Sequence, residues 1–262
     1  MKPVICLDPL YPERLPEDKI ERIAAAGFHC VEFWGWRDKH VPTLLDACHR
    51  HDVEIVNFSG HRDGSPVARD THALFLQDLA DAVDTAGQLR CQTLMLLTNA
   101  LNEDGSVTDS FEQIPDAQKY ENAVIGLKKA LDATPEAMNL VLEPLNTIID
   151  HPGYYLADMQ TAASLVRDVG NPRLKILCDL YHFGVMGRDL KAIITTYLSD
   201  IGYFHIADFP GRHEPGTGSQ DWEALLRLIR QSGYTGYVGF EFFPLHDSDE
   251  ALHTIQRLWQ AF

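Results

Sequence analysis

Four apolar segments of this 262-residue chain end on, or contain, a side chain that can bind a metal ion or move a proton. They are Val141-Leu142-Glu143-Pro144, Leu177-Cys178-Asp179-Leu180, Phe204-His205-Ile206 and Gly239-Phe240-Glu241-Phe242. A charged side chain in or beside an apolar strand is costly unless it is paired or bound. The pattern therefore marks three carboxylates and one imidazole as candidates for chemistry.

These four side chains would meet at one point if the segments were adjacent parallel strands. Three carboxylates crowded together repel one another, and a divalent cation is the simplest way to neutralise them. Three oxygen ligands and one imidazole suit Mn2+, Mg2+ or Co2+ better than a thiolate-rich structural zinc site does. We therefore predict one divalent metal ion, bound by Glu143, Asp179, His205 and Glu241.

Each of these residues taken alone has a simpler interpretation. A single glutamate at a strand end more often caps a helix or forms an ion pair. A single histidine such as His205 is as readily a hydrogen-bonded core residue as a ligand. The combination on four consecutive segments is what favours a metal site.

The elements that must position these residues can be read from the hydrophobic pattern. Eight short, nearly continuous apolar runs alternate with longer amphipathic segments, as expected for strands that are covered on both faces. The predicted strands are Val4–Leu7, Cys30–Phe33, Glu54–Asn57, Thr93–Leu97, Leu140–Glu143, Leu174–Asp179, Tyr203–Ile206 and Tyr237–Glu241.

The segments between these strands have helical periodicity. One of them ends with Gly170 as a C-cap and Pro172 as a stop signal. Strict alternation of strand and helix implies a parallel sheet with right-handed crossovers, and eight such units make a closed barrel. We predict an α/β fold, a single (β/α)8 TIM-barrel domain over residues 1–262. An open doubly wound sheet is the alternative, but no GxGxxG motif follows the first strand.

Two motifs make the pattern resemble a known family. The order Glu, Asp, His, Glu on strands five to eight, with Glu143-Pro-Leu-Asn146 after strand five, resembles the xylose-isomerase-like barrel superfamily. Within it, Asp179-Leu-Tyr-His182 and the loop Pro210–Gly218 (Pro-Gly-Arg-His-Glu-Pro-Gly-Thr-Gly) are similar to the hydroxypyruvate isomerase family. The resemblance covers the whole barrel. It implies a metal-dependent isomerase of sugars or hydroxy-keto acids in which both glutamates bind metal and move protons.

The residues suit that chemistry. Aldose–ketose isomerisation and ketose epimerisation both remove a proton from the carbon beside a carbonyl, and a metal stabilises the resulting enediolate. Glu143 and Glu241, on strands five and eight, can flank a substrate and act as the catalytic acid and base. The favoured reaction is hydroxypyruvate to tartronate semialdehyde. The alternative is a ketose 3-epimerase of the tagatose or psicose type, with the same metal and glutamate pair.

Two further residues are predicted to bind the substrate. His182 lies three residues beyond Asp179 and could bond a substrate oxygen. Arg212 could pair with a substrate carboxylate or polarise a hydroxyl. The alternative for Arg212 is an ion pair with Glu214 that stabilises the loop.

Several stretches at the predicted mouth depart from the family pattern or have no assigned role. The loop after strand three contains His61 and Arg62, which either add an anion-binding group or form a solvated loop. The sequence Gly218-Ser219-Gln220 lacks the glutamate that the family commonly has after the glycine. Both departures leave the substrate open.

The aromatic residues Phe33, Trp34 and Trp36 follow strand two. They either form a wall against a sugar or pack on neighbouring loops or a partner subunit. Glu32 could be a further polar contact in the barrel mouth, although no spacing demands it.

The chain is strongly acidic, with a formal net charge of −16. Such a surface repels phosphate backbones and anionic lipids, which disfavours nucleic acid, membranes and a DNA-repair nuclease activity. A non-catalytic barrel is disfavoured by the intact ligand set. The expected partner is a small sugar or keto-acid substrate, and a homo-oligomer is left open.

Five cysteines are scattered without CxxC spacing, which indicates buried thiols in a reducing compartment. No apolar run is long enough to span a membrane, and no signal peptide precedes Pro3. We expect a cytoplasmic enzyme.

Overall fold

Eight parallel strands close into a barrel in the computed structural model, which describes residues 1–262. Each strand pairs with the next along the chain, and β8 pairs with β1 through partners such as Val4 and Gly239. This closing pair confirms the predicted TIM barrel and rules out the open sheet. The strands are β1 (Lys2–Cys6), β2 (Cys30–Phe33), β3 (Glu54–Ser59), β4 (Thr93–Leu96), β5 (Asn139–Leu142), β6 (Leu174–Asp179), β7 (Ile201–Ile206) and β8 (Tyr237–Phe240).

Helices follow every strand and cover the outside of the barrel. Two helices lie between β6 and β7, and one lies after each of the other strands. They are α1 (Pro16–Ala25), α2 (Val41–His51), α3 (His72–Leu89), α4 (Asp116–Ala133), α5 (Met159–Val169), α6 (Leu180–Val185), α7 (Leu190–Tyr197), α8 (Trp222–Gln231) and α9 (Ser248–Ala261).

The strand ends differ slightly from the sequence prediction, and the difference concerns the site. β5 ends at Leu142 and β8 ends at Phe240, so Glu143 and Glu241 are the first residues after their strands. Asp179 is the last residue of β6, and His205 is the penultimate residue of β7. All four therefore lie where the parallel strands end, at the face on which TIM barrels carry their active sites.

Local signals in the sequence set the helix ends. The Asp158 carboxylate accepts a hydrogen bond from the Thr161 amide at 2.8 Å and begins α5. Gly170 has a φ of +72° and ends that helix, as predicted. Asp179 similarly caps α6, because its Oδ1 accepts from the Tyr181 amide at 2.8 Å. A helix therefore begins directly at the end of β6 and places His182 within one turn of Asp179.

One continuous core of 75 buried residues joins the barrel interior to the covering helices. All five cysteines are buried and unbonded, in agreement with the sequence prediction. Burial raises the pKa of the Cys48 and Cys91 thiols to about 12. None of the helices has the length and apolar character that a membrane span requires.

Two leucines of α3 provide a test of this packing. Leu79 is fully buried, whereas Leu74 is 53% exposed. We expect Leu79→Ala to lower the free energy of unfolding by about 2–5 kcal/mol, because it removes buried methyl groups and leaves a cavity. Leu74→Ala, the matched control in the same helix, should change it by less than about 1 kcal/mol. Urea unfolding followed by circular dichroism measures both, and equal losses would contradict the assigned packing.

Candidate functional site

The four predicted metal ligands converge at the end of the barrel. One ligand atom from each of Glu143, Asp179, His205 and Glu241 lies within 4.8 Å of the others, and all four residues are buried. Nδ1 of His205 lies 2.9 Å from Oε2 of Glu241 and 3.6 Å from Oε1 of Glu143. The fold therefore brings together the four side chains that the sequence pattern predicted to meet, although they are far apart along the chain.

The orientation of His205 comes from Glu32, a residue to which the sequence assigned no definite role. Oε2 of Glu32 lies 3.1 Å from Nε2 of His205 and also accepts hydrogen bonds from Tyr203 Oη at 2.8 Å and Asn57 Nδ2 at 3.1 Å. A carboxylate at Nε2 holds the proton on that nitrogen and leaves Nδ1 directed at Glu143 and Glu241.

A small residue on β8 makes this contact possible. A Cβ atom at Gly239 would lie 2.3 Å from Oε1 of Glu32 and 2.7 Å from Cδ2 of His205. Those distances are too short for a side chain, so the glycine keeps the space in which the carboxylate and the imidazole meet.

The donor set fits a divalent cation. Oε1 of Glu143 and Nδ1 of His205 are buried and form no well-directed hydrogen bond, although Nδ1 lies 2.9 Å from Oε2 of Glu241. Buried polar atoms without a partner are uncommon in proteins, and here two of them belong to one cluster of carboxylate and imidazole donors. Three carboxylates and one imidazole would satisfy these atoms by binding a metal ion.

Burial and neighbouring charges shift the pKa values of all four side chains in the cluster. Burial raises the pKa of Glu143 to about 7 and that of Asp179 to about 6. Burial also opposes the ionisation of Glu241, but the Arg212 guanidinium and the His205 imidazole together hold its pKa well below the usual range. For His205, the neighbouring carboxylates outweigh burial and raise its pKa well above the usual range. The cluster therefore contains one firmly ionised glutamate and one that takes up a proton near neutral pH.

Arg212 is part of this network. Its Nη2 lies 2.9 Å from Oε1 of Glu241 and 3.3 Å from Oδ2 of Asp179. Its guanidinium also lies over the ring of Tyr181, 5.0 Å from the centroid. The alternative ion pair with Glu214 is wrong, because the Glu214 carboxylate accepts the backbone amide of Leu245 instead.

The loop that carries Arg212 is organised around a buried carboxylate. Oδ2 of Asp208 accepts the backbone amides of Gly216 at 2.9 Å and Gly218 at 2.8 Å. A Cβ at Gly218 would lie 2.3 Å from Oδ1 of Asp208, so the last glycine of the loop is required by close approach. The carbonyl of Arg212 also accepts the amide of Phe243, which ties this loop to the loop after β8.

His182 presents one free donor to the site. Oδ1 of Asn146 accepts the backbone amides of Ile149 and Asp150, so the amide nitrogen of Asn146 must face Nδ1 of His182, at 2.7 Å. Burial and the Arg212 guanidinium lower the pKa of His182 well below its usual range. The neutral ring accepts at Nδ1 and carries its proton on Nε2, which is buried, lies 3.4 Å from Oδ2 of Asp179 and forms no hydrogen bond.

A cavity of about 700 Å3 opens above the cluster. Phe33 and Trp34 line it, and Nε1 of Trp34 donates to Oε1 of Glu241 at 2.7 Å. Trp36 packs near Phe58, with ring centroids 6.1 Å apart, and does not line the cavity. Phe33 and Trp34 therefore stand where a wall against a substrate was expected, whereas Trp36 packs on a neighbouring residue.

The two residues of the loop after β3 also separate. His61 is buried and bonds the carbonyl of Leu97 through Nε2 at 3.0 Å, so it has a structural role. Arg62 is partly exposed and lines the cavity. The loop is therefore anchored by one residue and offers the other to a ligand.

Comparison with known proteins places these observations in a family. A family model described as xylose isomerase-like TIM barrel matches residues 20–258, and the chain belongs to this family. Relatives from Xenopus laevis and Homo sapiens share the name "Putative hydroxypyruvate isomerase". They are 31% and 32% identical to this chain, over 95% of it and 92% of their own length. The hydroxypyruvate isomerase of Escherichia coli is 38% identical over 117 residues, or 45% of either chain. These relatives confirm the resemblance that the motifs predicted.

Solved structures share the fold over nearly the whole chain. A Brucella melitensis structure titled as an AP endonuclease of family 2 has a TM-score of 0.85 at 25% identity and covers 98% of both chains. D-psicose 3-epimerase solved with D-fructose has a TM-score of 0.76 at 18% identity, over 99% of this chain and 90% of that one. The IOLI protein with bound zinc has a TM-score of 0.78 at 17% identity, over 99% and 96%.

Glu32 offers a test of how the imidazole is oriented. We expect Glu32→Gln to weaken binding of Mn2+ by about 10- to 100-fold, because the charged acceptor that fixes the His205 ring is lost. Glu54→Gln removes an exposed carboxylate at the first residue of β3, at the end of the barrel away from the cluster. It should leave the affinity for Mn2+ within about twofold of the parent value. Isothermal titration of the metal-free proteins measures both constants, and unchanged affinity in Glu32→Gln would refute the orienting role.

The pKa shifts make a second prediction, on pH. Glu143, with a pKa raised to about 7, and Asp179, raised to about 6, must lose protons before they bind a cation. Metal affinity should therefore fall as the pH decreases from 8 to 5, by about tenfold per pH unit for each proton displaced. Isothermal titration of the metal in buffers of different ionisation enthalpy measures how many protons are released when the metal binds. A constant affinity over this range would contradict the assignment.

Proposed function

We propose that this protein is a metal-dependent isomerase that acts on a sugar or a hydroxy-keto acid through an enediolate, most like hydroxypyruvate isomerase. The observation that carries the proposal is the convergence of Glu143, Asp179, His205 and Glu241 below an open cavity. The isomerase names of the relatives support the same class of enzyme.

The metal is proposed from the donor set of the cluster. Glu143, Asp179, His205 and Glu241 would hold one divalent ion, with Mn2+, Mg2+ or Co2+ favoured by three oxygen donors and one nitrogen donor. When bound, the ion supplies Lewis-acid stabilisation of the charge that develops on the substrate oxygens.

The two glutamates are suited to opposite halves of a proton transfer. Arg212 and His205 keep Glu241 ionised, so that it can accept a proton from the carbon beside the carbonyl. We propose that Glu143 carries out the other half and returns a proton to the substrate. Because the two residues follow β5 and β8, they can act on a substrate from different sides.

His182 and Arg212 are proposed to orient the substrate. The Nε2–H group of His182 is buried and forms no hydrogen bond, although Oδ2 of Asp179 lies 3.4 Å away, and we propose that a substrate oxygen accepts it. Arg212 already contacts two carboxylates, and we propose that it holds Glu241 in place and polarises a substrate hydroxyl beside it.

A ketose 3-epimerase is the second candidate. The cavity of about 700 Å3 lies well inside the range of about 300–1,000 Å3 that small-molecule sites occupy, and a three-carbon acid would fill little of it. The same metal and glutamate pair would serve that reaction. A nuclease activity is disfavoured by the net charge of −16 and by a cluster with one histidine.

Two broader proposals complete the assignment. We propose that residues 1–262 act as one domain with one site, because the elements of the barrel run from Lys2 to Ala261. We also propose a cytoplasmic location, since five buried cysteines that form no disulfide bond suit a reducing compartment.

Glu241→Gln tests the proton transfer. We expect kcat to fall by at least about a hundredfold, because the amide cannot accept the proton. Glu112→Gln, an exposed control away from the cavity, should retain kcat.

Deuterium incorporation distinguishes the chemical routes. Substrate recovered from D2O should carry deuterium at the carbon next to the carbonyl if a carboxylate shuttles the proton. Turnover without label would favour a direct hydride shift and count against the enediolate.

A further inference from the structure

Of the arginines that line the cavity, Arg62 is the one whose guanidinium contacts no other charged or hydrogen-bonding group of the protein. Two arginines line the cavity, and Arg212 is bound to Asp179 and Glu241. The Arg62 side chain, in contrast, forms no hydrogen bond or ion pair, and only its backbone amide is bonded. A guanidinium beside a cavity without a protein partner is free to bind an anionic group of a ligand.

The barrel places Arg62 across the mouth from Arg212. Arg62 follows β3, and Arg212 follows β7. These strands are four places apart in a closed barrel of eight, so they lie on opposite sides of the axis. The four proposed metal ligands lie at the ends of β5 to β8, and Arg62 therefore stands on the other wall of the cavity.

The backbone under Arg62 is held firmly. The buried carboxylate of Asp78 on α3 accepts the backbone amides of both Arg62 and Asp63, the latter at 2.9 Å. Asp78 is itself paired with Arg37. Gly64 has a φ of +69°, and a Cβ there would lie 2.3 Å from a backbone nitrogen of α3. The arginine is therefore presented from a fixed position, which lowers the cost of ordering it on a ligand.

The size of the cavity indicates how far a ligand must reach. At about 700 Å3 it accommodates a molecule considerably larger than a three-carbon acid. The far wall offers one guanidinium, and two carboxylates, Glu103 and Asp104, also line the cavity. A single guanidinium in a cavity that also carries acidic side chains suits a singly charged carboxylate better than a dianionic phosphate.

We propose that Arg62 is a specificity-determining residue that binds a carboxylate at the end of the substrate away from Glu143 and Glu241. The preferred substrates are then ketoses of five or six carbons whose far end is oxidised to a carboxylate. This inference rests on the proposed function, which supplies the reaction at the carbonyl end of the same molecule.

Three compounds with the same carbonyl end test it. D-fructuronate, D-fructose and D-fructose 6-phosphate differ at carbon six, which is a carboxylate, a hydroxymethyl group or a phosphate ester. We expect the Mn2+-loaded parent to prefer the carboxylate. Arg62→Met should lower kcat/KM for fructuronate by about 10- to 100-fold, and Arg62→Lys should lower it less, because it keeps the charge but loses the fork.

Two controls separate specificity from general damage. The kcat/KM for fructose should change by less than about threefold in both Arg62 variants, because the hydroxyl at carbon six of fructose makes no charge-assisted contact. Arg69→Met removes an exposed arginine that does not line the cavity, and it should leave all three values unchanged. Equal losses for fructuronate and fructose, or no loss for either, would overturn the proposal. A preference for the phosphate ester that depends on Arg62 would overturn the choice of carboxylate.

A binding measurement keeps this test separate from the proposed reaction. If the parent converts neither the three ketoses nor hydroxypyruvate, the proposed function fails. Dissociation constants for fructuronate and fructose, followed by the fluorescence of the cavity residue Trp34, then still report on Arg62. Arg62→Met should weaken fructuronate alone by about tenfold or more. Equal constants in parent and variant would refute the inference.

Discussion

The structure depends on gathering three carboxylates in a buried place and balancing their charge. Glu143, Asp179 and Glu241 could not share this volume in ionised form without nearby cations, since each is removed from water and repels the others. His205 and Arg212 supply part of the balance, and the donor set leaves room for a divalent ion to supply the rest. The fold provides what this balance needs, because parallel strands end together at one face.

The same requirement extends outward from the cluster. His205 is held by Glu32, which Tyr203 and Asn57 hold in turn. Arg212 is held by a loop wrapped around the buried carboxylate of Asp208. His205 and Arg212 are thus each held by further groups behind them, and this support keeps the donor atoms in place. The polar interior is one connected arrangement rather than a set of separate contacts.

Much of this could be predicted from sequence, and the reasons for the omissions are physical. The eight strands could be predicted because strands covered on both faces are apolar throughout, and four candidate ligands could be predicted because a charge stands out in such a run. Glu32 carries the same signal inside Cys30–Phe33, but its partner Tyr203 is 171 residues away, and only the closed barrel brings them together. His61 is buried and its neighbour Arg62 lines the cavity, which the sequence could not distinguish because the ring of His61 contacts residues that are distant along the chain, Leu97 and Phe75.

The five buried thiols can report local opening of the barrel, because a thiol reagent reaches them only when the surrounding structure opens. A thiol reagent needs both access and a thiolate, and the closed molecule withholds both, because burial raises the pKa of all five cysteines. Cys6, Cys30 and Cys178 lie in β1, β2 and β6, Cys48 lies in α2, and Cys91 lies just before β4. The alkylation rate of each cysteine therefore measures how often the strand or helix that surrounds it opens to solvent. Mass spectrometry of such labelling would show the order in which the ring of strands loosens, without any change to the chain.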